Sequence, residues 1–125
     1  MSRILFQTSM DPSHVGHVVG KLITEGNYAV DVTKKSSALE MLKDGYDVLV
    51  ADDPQLILDA KAEGVLPKHV VYAITGTTFT EIPGVNVARV ESVLVNAPRV
   101  GETSGPDRLL YEVNQLIRGR QTSLV

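Results

Sequence analysis

The sequence predicts a single α/β domain in which a parallel sheet is covered by helices on both faces. Three observations predict it. Strand-like runs and helical patterns alternate at short spacing from residue 3 to residue 75, the order that a parallel sheet requires. Two of the runs, Val48–Ala51 and His69–Thr75, are almost continuously apolar, as strands buried on both faces are. The chain has 125 residues, of which 43% are hydrophobic and 22% charged, enough to fill one core and too few for two domains.

The first run, Arg3 to Thr8 (RILFQT), is short and rich in strand formers. Ser9-Met10-Asp11-Pro12-Ser13 then makes a turn into a helix: Asp11 can cap it, and Pro12 suits the first helical position because its missing N–H costs nothing there. Val15, Val18, Val19, Leu22 and Ile23 follow the i, i+3, i+4, i+7, i+8 spacing of an amphipathic helix that ends at Gly26 or Asn27. Gly16 and Gly20 interrupt it at about 1 kcal/mol each against alanine, which close approach of helix to sheet would explain. Tyr28 to Val32 alternates as a second strand, and Ser37-Ala38-Leu39-Glu40 has the spacing of a capping box opening a short helix. After the third strand, Asp53 can cap and Pro54 can start a helix that runs to about Gly64.

Beyond Thr75 the pattern loosens. Gly76 to Gly84 is too short and too β-branched for a helix, so the fourth helix is expected to be short or missing. Val85 to Val95 holds a strand of about five residues, and Asn96 to Pro106 reads as a long loop. Asp107 to Arg118 sets Leu109, Leu110, Val113, Leu116 and Ile117 on one helical face. Gly119 stops that helix, so the domain is expected over 1–119, with 120–125 as a disordered C-terminal tail. The five β/α units fit the flavodoxin-like plan, with strand order 2-1-3-4-5.

Composition excludes several functions. With 12 basic and 15 acidic residues and a net charge of −3, nothing favours nucleic acid or an anionic membrane. The chain has no cysteine, which rules out disulfides, thiol chemistry and zinc–thiolate sites and fits a cytoplasmic location. No apolar run approaches the roughly 18 residues of a membrane span, and no signal-peptide core follows Met1.

The stretch Ser37 to Asp52 (SALEMLKDGYDVLVAD) resembles the receiver domain of two-component response regulators. The resemblance extends over nearly the whole chain by spacing. It implies that Asp52 stands at the phosphoacceptor position, and Thr75 at the hydroxyl that closes the fourth strand. The chain departs from the family elsewhere. The adjacent acidic pair that holds magnesium is replaced by Thr8 and Ser9, with Asp11 as the nearest carboxylate. Asn96 stands where the family carries its lysine, and residues 85 to 95 contain no aromatic partner for Thr75. Phosphoryl transfer to a carboxylate needs cationic charge at the transferring oxygens, and these replacements remove it.

The function expected is therefore a degenerate, pseudo-receiver signalling or regulatory domain: a protein-interaction module, not an enzyme, and not phosphorylated by the usual mechanism. A protein partner is expected, with a homodimer through the last helix, where Arg108, Glu112, Gln115 and Arg118 fall outside the buried stripe. Two alternatives use the pocket formed by Thr8, Ser9, Asp11, Asp53 and Asn96 around Asp52. One is a genuine phosphorelay acceptor at Asp52. The other is a small-ligand or metal-binding domain, with Mg2+ held by Asp52, Asp53 and Asp11, or a transition ion held by His14, His17 and a carboxylate. Against these stand plainer roles: Asp53 as a helix cap, Asp52 as an exposed turn residue, and His14, His17 and Lys21 as a solvated helix face. No cofactor is otherwise expected.

Overall fold

Side chains alternate across a strand, so each buried strand feeds two apolar layers at once. In this chain the alternation decides which helix covers which face. The computed structural model describes residues 2–74, 81–91 and 105–118. Its strands are β1 (Arg3–Gln7), β2 (Ala29–Thr33), β3 (Val48–Ala51), β4 (His69–Ile74) and β5 (Ala88–Glu91). They form one sheet in the order β2-β1-β3-β4-β5, with every neighbouring pair parallel. The fold is flavodoxin-like.

One face carries Ile4 and Phe6 of β1, Val48 and Val50 of β3, and Val71 and Ala73 of β4. Helices α1 (Gly16–Thr24) and α4 (Gly105–Arg118) cover it with Val18, Leu22, Leu109 and Val113. The other face carries Leu5, Leu49, Ala51, Val70 and Tyr72. It is covered by α2 (Lys35–Leu42) through Ala38 and Leu42, and by α3 (Pro54–Glu63) through Leu56, Ile57 and Ala60. The unbroken apolar run Val48–Ala51 is buried at every position because both layers share it.

Local signals fixed some helix ends. Asp53 caps α3 through Gln55 N at 2.8 Å and Leu56 N at 3.4 Å; Pro54 follows, and Gly64 closes the helix with φ +74°. Asp11 caps a single 3-10 turn, Pro12–Val15, that leads into α1.

Other expectations need correction. The Ser37–Glu40 capping box does not open α2. The helix begins two residues earlier, after an extended Lys34 with no side-chain cap, because β2 ends at Thr33 and the chain turns at once. Ser37 N instead donates to the Lys34 carbonyl at 3.1 Å inside the first turn. Close approach to the sheet does not explain Gly16 or Gly20, since a Cβ at either would touch nothing within 4 Å. Gly26 is the crowded glycine, where a Cβ would fall 2.5 Å from the Tyr28 ring and 2.7 Å from the Leu22 carbonyl. The last helix starts at Gly105, so the end of the expected loop, Gly105-Pro106, is helical and buried.

Between β4 and β5 the described residues 81–87 contain a turn at Pro83-Gly84 and no helix. The readings placed on residues 76–80, on the loop 96–104 and on the tail 120–125 lie outside the described residues. Among the described residues, no helix is long and apolar enough to cross a membrane.

Candidate functional site

The carboxyl ends of β1 and β3 lie side by side, with Gln7 paired in register to Ala51. The residues that follow each strand therefore leave the sheet together, the place where doubly wound sheets carry their sites. From β3 comes Asp52; from β1 come Thr8 and Ser9.

Asp52 is half-buried and engaged on both carboxylate oxygens. Its Oδ1 accepts from Gln7 Nε2 at 3.1 Å and from Ser9 Oγ at 2.9 Å. Its Oδ2 accepts from Ser9 N at 2.8 Å and from Thr8 Oγ1 at 3.3 Å. Four donors thus surround one carboxylate, and the shortest of these bonds have the length of charge-assisted hydrogen bonds. Asp52 is not an exposed turn residue.

Gln7 completes the arrangement from below. It is fully buried at the end of β1, and its Oε1 accepts from the backbone N–H of both Asp52 and Asp53 at 3.2 Å. One amide therefore ties the carboxylate and the start of the β3–α3 turn together. Thr8 is also buried; its N donates to the Thr33 carbonyl at 3.1 Å and its hydroxyl accepts from Met10 N at 3.0 Å. No buried side-chain polar atom lacks a partner among the described residues.

The other carboxylates have separate tasks. Asp53 uses Oδ1 as the α3 cap, and its Oδ2 lies 3.4 Å from Lys35 Nζ. Asp11 Oδ1 accepts from Ser13 N at 2.9 Å, and the backbone N–H and hydroxyl of Ser13 hold the Asp11 carboxyl below its ordinary range. His14 and His17 are exposed. Among the described residues no three His, Asp or Glu side chains come together as metal ligands, so neither the Asp11–Asp52–Asp53 set nor the histidine set is assembled. Magnesium, which the receiver resemblance implies, does not fit these residues. The acidic-pair positions are Thr8 and Ser9, and both Asp52 oxygens are already held by donors.

Beside this network an open crevice of about 520 Å³ is lined by Thr8, Ser9, Met10, Asp11 and Pro12, by Lys34, Lys35 and Ser36 at the start of α2, and by Asp53. The structure brings Thr8, Ser9, Asp11 and Asp53 to this edge, as the sequence predicts, but Asp52 does not line the crevice. Thr75 and Asn96 lie outside the described residues.

Three residues at this edge escape sequence reasoning: Gln7, Lys34 and Lys35. Gln7 carried a signal, being the polar residue at the inner end of an otherwise apolar strand directly before Thr8-Ser9. Lys34 and Lys35 carried none beyond their charge. No protein-family model, curated protein or solved structure matches the chain.

Proposed function

We propose that the chain is a receiver-like interaction domain of a signalling or regulatory system, working through its surface and not through phosphoryl chemistry. The observation that carries this reading is the state of the Asp52 carboxylate. A phosphoacceptor carboxylate must present a free oxygen to the incoming phosphorus, with cationic charge beside it to neutralise the transferring oxygens. Asp52 instead has both oxygens bound by Gln7, Thr8 and Ser9, and the two residues at the acidic-pair positions donate to it. What was a reactive centre in the receiver plan is here a fastening between β1 and the β3–α3 turn. The partner is another protein surface, with no nucleic acid and no cofactor required.

Incubation of the full chain with acetyl phosphate and Mg2+, followed by intact mass measurement, tests this reading. Unchanged mass is the expected result. A gain of one phosphoryl group that disappears in Asp52→Asn would overturn it in favour of a working phosphoacceptor.

A further inference from the structure

The crevice beside the Asp52 network is unevenly matched in charge. Its two acids are committed to the chain: Asp11 accepts from Ser13 N at 2.9 Å, and Asp53 caps α3 through Gln55 N at 2.8 Å. Its two cations are held loosely or not at all. Lys35 Nζ comes no nearer than 3.4 Å to Asp53 Oδ2, and its side chain remains 45% exposed. Among the described residues no hydrogen bond or ion pair holds the Lys34 ammonium. Helix α2 starts at this point without a side-chain cap, so its positive end adds to the same potential.

Lys34-Lys35 is also the only adjacent pair of Lys or Arg residues in a chain whose net charge is −3. Both side chains are exposed and both line the crevice. An acidic group that approaches this edge therefore meets local attraction on a molecule that is acidic as a whole, which selects a docking position and steers encounter toward it.

Three features select a protein segment over a small anion. The crevice is open, with Ser9, Pro12 and both lysines exposed along it, so a lone ion would keep water on most sides. Asp11 and Asp53 share the space, and they repel a doubly charged phosphate more than a single carboxylate. Half-buried Met10 and exposed Pro12 add apolar surface beside the charges. A flexible thioether adapts to an apolar side chain laid on it, and a bare anion gains nothing from that surface.

We infer that this crevice docks an acidic segment of a partner protein, with a carboxylate against Lys34 and Lys35 and a neighbouring apolar side chain on Met10 and Pro12. The inference rests on the interaction-domain reading and names the chemistry of one partner. A single short segment binds weakly there, with a dissociation constant on the order of 1 mM at low salt.

Titration of the isotope-labelled full chain with the peptide acetyl-Glu-Glu-Leu-Glu-Glu-amide, followed through the amide signals of Met10, Lys34, Lys35 and Ser36, tests it. Saturable shifts centred on these residues are expected, weakened several-fold by added salt and lost when glutamine replaces glutamate in the peptide. Lys34→Glu, an exposed change with no contact to break, should weaken binding about tenfold or more. Lys68→Glu alters net charge equally from the opposite edge of the sheet, and it should leave binding within about twofold. Absence of saturable shifts, equal loss in both variants, or tighter binding of inorganic phosphate at the same signals would each overturn the docking site. A chain that ignores the peptide and keeps its mass with acetyl phosphate removes this site alone. A chain that binds the peptide and gains a phosphoryl group removes the earlier reading and leaves the site standing.

Discussion

Gln7→Ala is expected to destabilise the fold by about 3 kcal/mol, more than any other single change at the carboxyl edge. The side chain is fully buried and serves three partners: Nε2 donates to Asp52 Oδ1, and Oε1 accepts from Asp52 N and Asp53 N. Truncation leaves two backbone N–H groups short of a partner, strips a donor from a carboxylate, and opens a void beside Ala51. Each unsatisfied group costs roughly 1–3 kcal/mol, so the sum exceeds what packing alone would predict. Urea unfolding of the purified variant measures it.

Gln7→Glu should show the same dependence through charge. It sets a second carboxylate where Nε2 now lies, 3.1 Å from Asp52 Oδ1. Two carboxylates sharing a site do not both ionise, so the pair holds a proton in the folded state and one pKa rises above its unfolded value. The folded state then binds more protons than the unfolded state near neutrality. The deficit against the natural chain is therefore full at pH 8 and shrinks as pH falls through the raised value. A deficit independent of pH from 8 to 5 would contradict this.

The second large effect has a sign that separates two kinds of pocket. Where acidic side chains crowd one another to hold a cation, neutralising one of them relieves repulsion and stabilises the apo fold. Asp52 is ringed by donors instead, so Asp52→Asn should destabilise, by about 1–3 kcal/mol. The new amide NH2 points at Gln7 Nε2 and Ser9 Oγ, or at Ser9 N and Thr8 Oγ1, and either orientation sets donor against donor. A midpoint of unfolding above that of the natural chain would mean that Asp52 is repelled by its surroundings, contrary to the hydrogen bonds described.

The fold was largely legible because its signals are local or periodic. Val48–Ala51 reads as a doubly buried strand from four residues, and Asp53-Pro54 announces α3 because cap and first helical residue are adjacent in the chain. The Ser37–Glu40 signal failed for a physical reason: the sheet delivers the chain at Thr33, and the helix begins where the strand stops, so packing of Ala38 and Leu42 outweighs a cap worth about 1 kcal/mol. Gly20 shows the reverse limit, since its cost is visible in sequence but no close contact accounts for it.

The site was legible only in part. Position marked Asp52, and the small polar pair Thr8-Ser9 at the end of the first strand marked the edge it faces. What holds Asp52 depends on the β1–β3 register, which sets Gln7 beside Ala51 across 44 residues of sequence. No local pattern carries that pairing, so the role of Gln7 emerges only once the strands are neighbours.

On the proposed reading Asp52 is a fastening, held by its own chain on both oxygens and closed to cation and phosphoryl group alike. Its most direct test is a titration of the isotope-labelled chain with Mg2+ and beryllofluoride, followed through the amide signals of Ser9, Asp52 and Asp53. Those signals should stay in place throughout the titration. Saturable shifts centred on these three residues, lost in Asp52→Asn, would contradict the account.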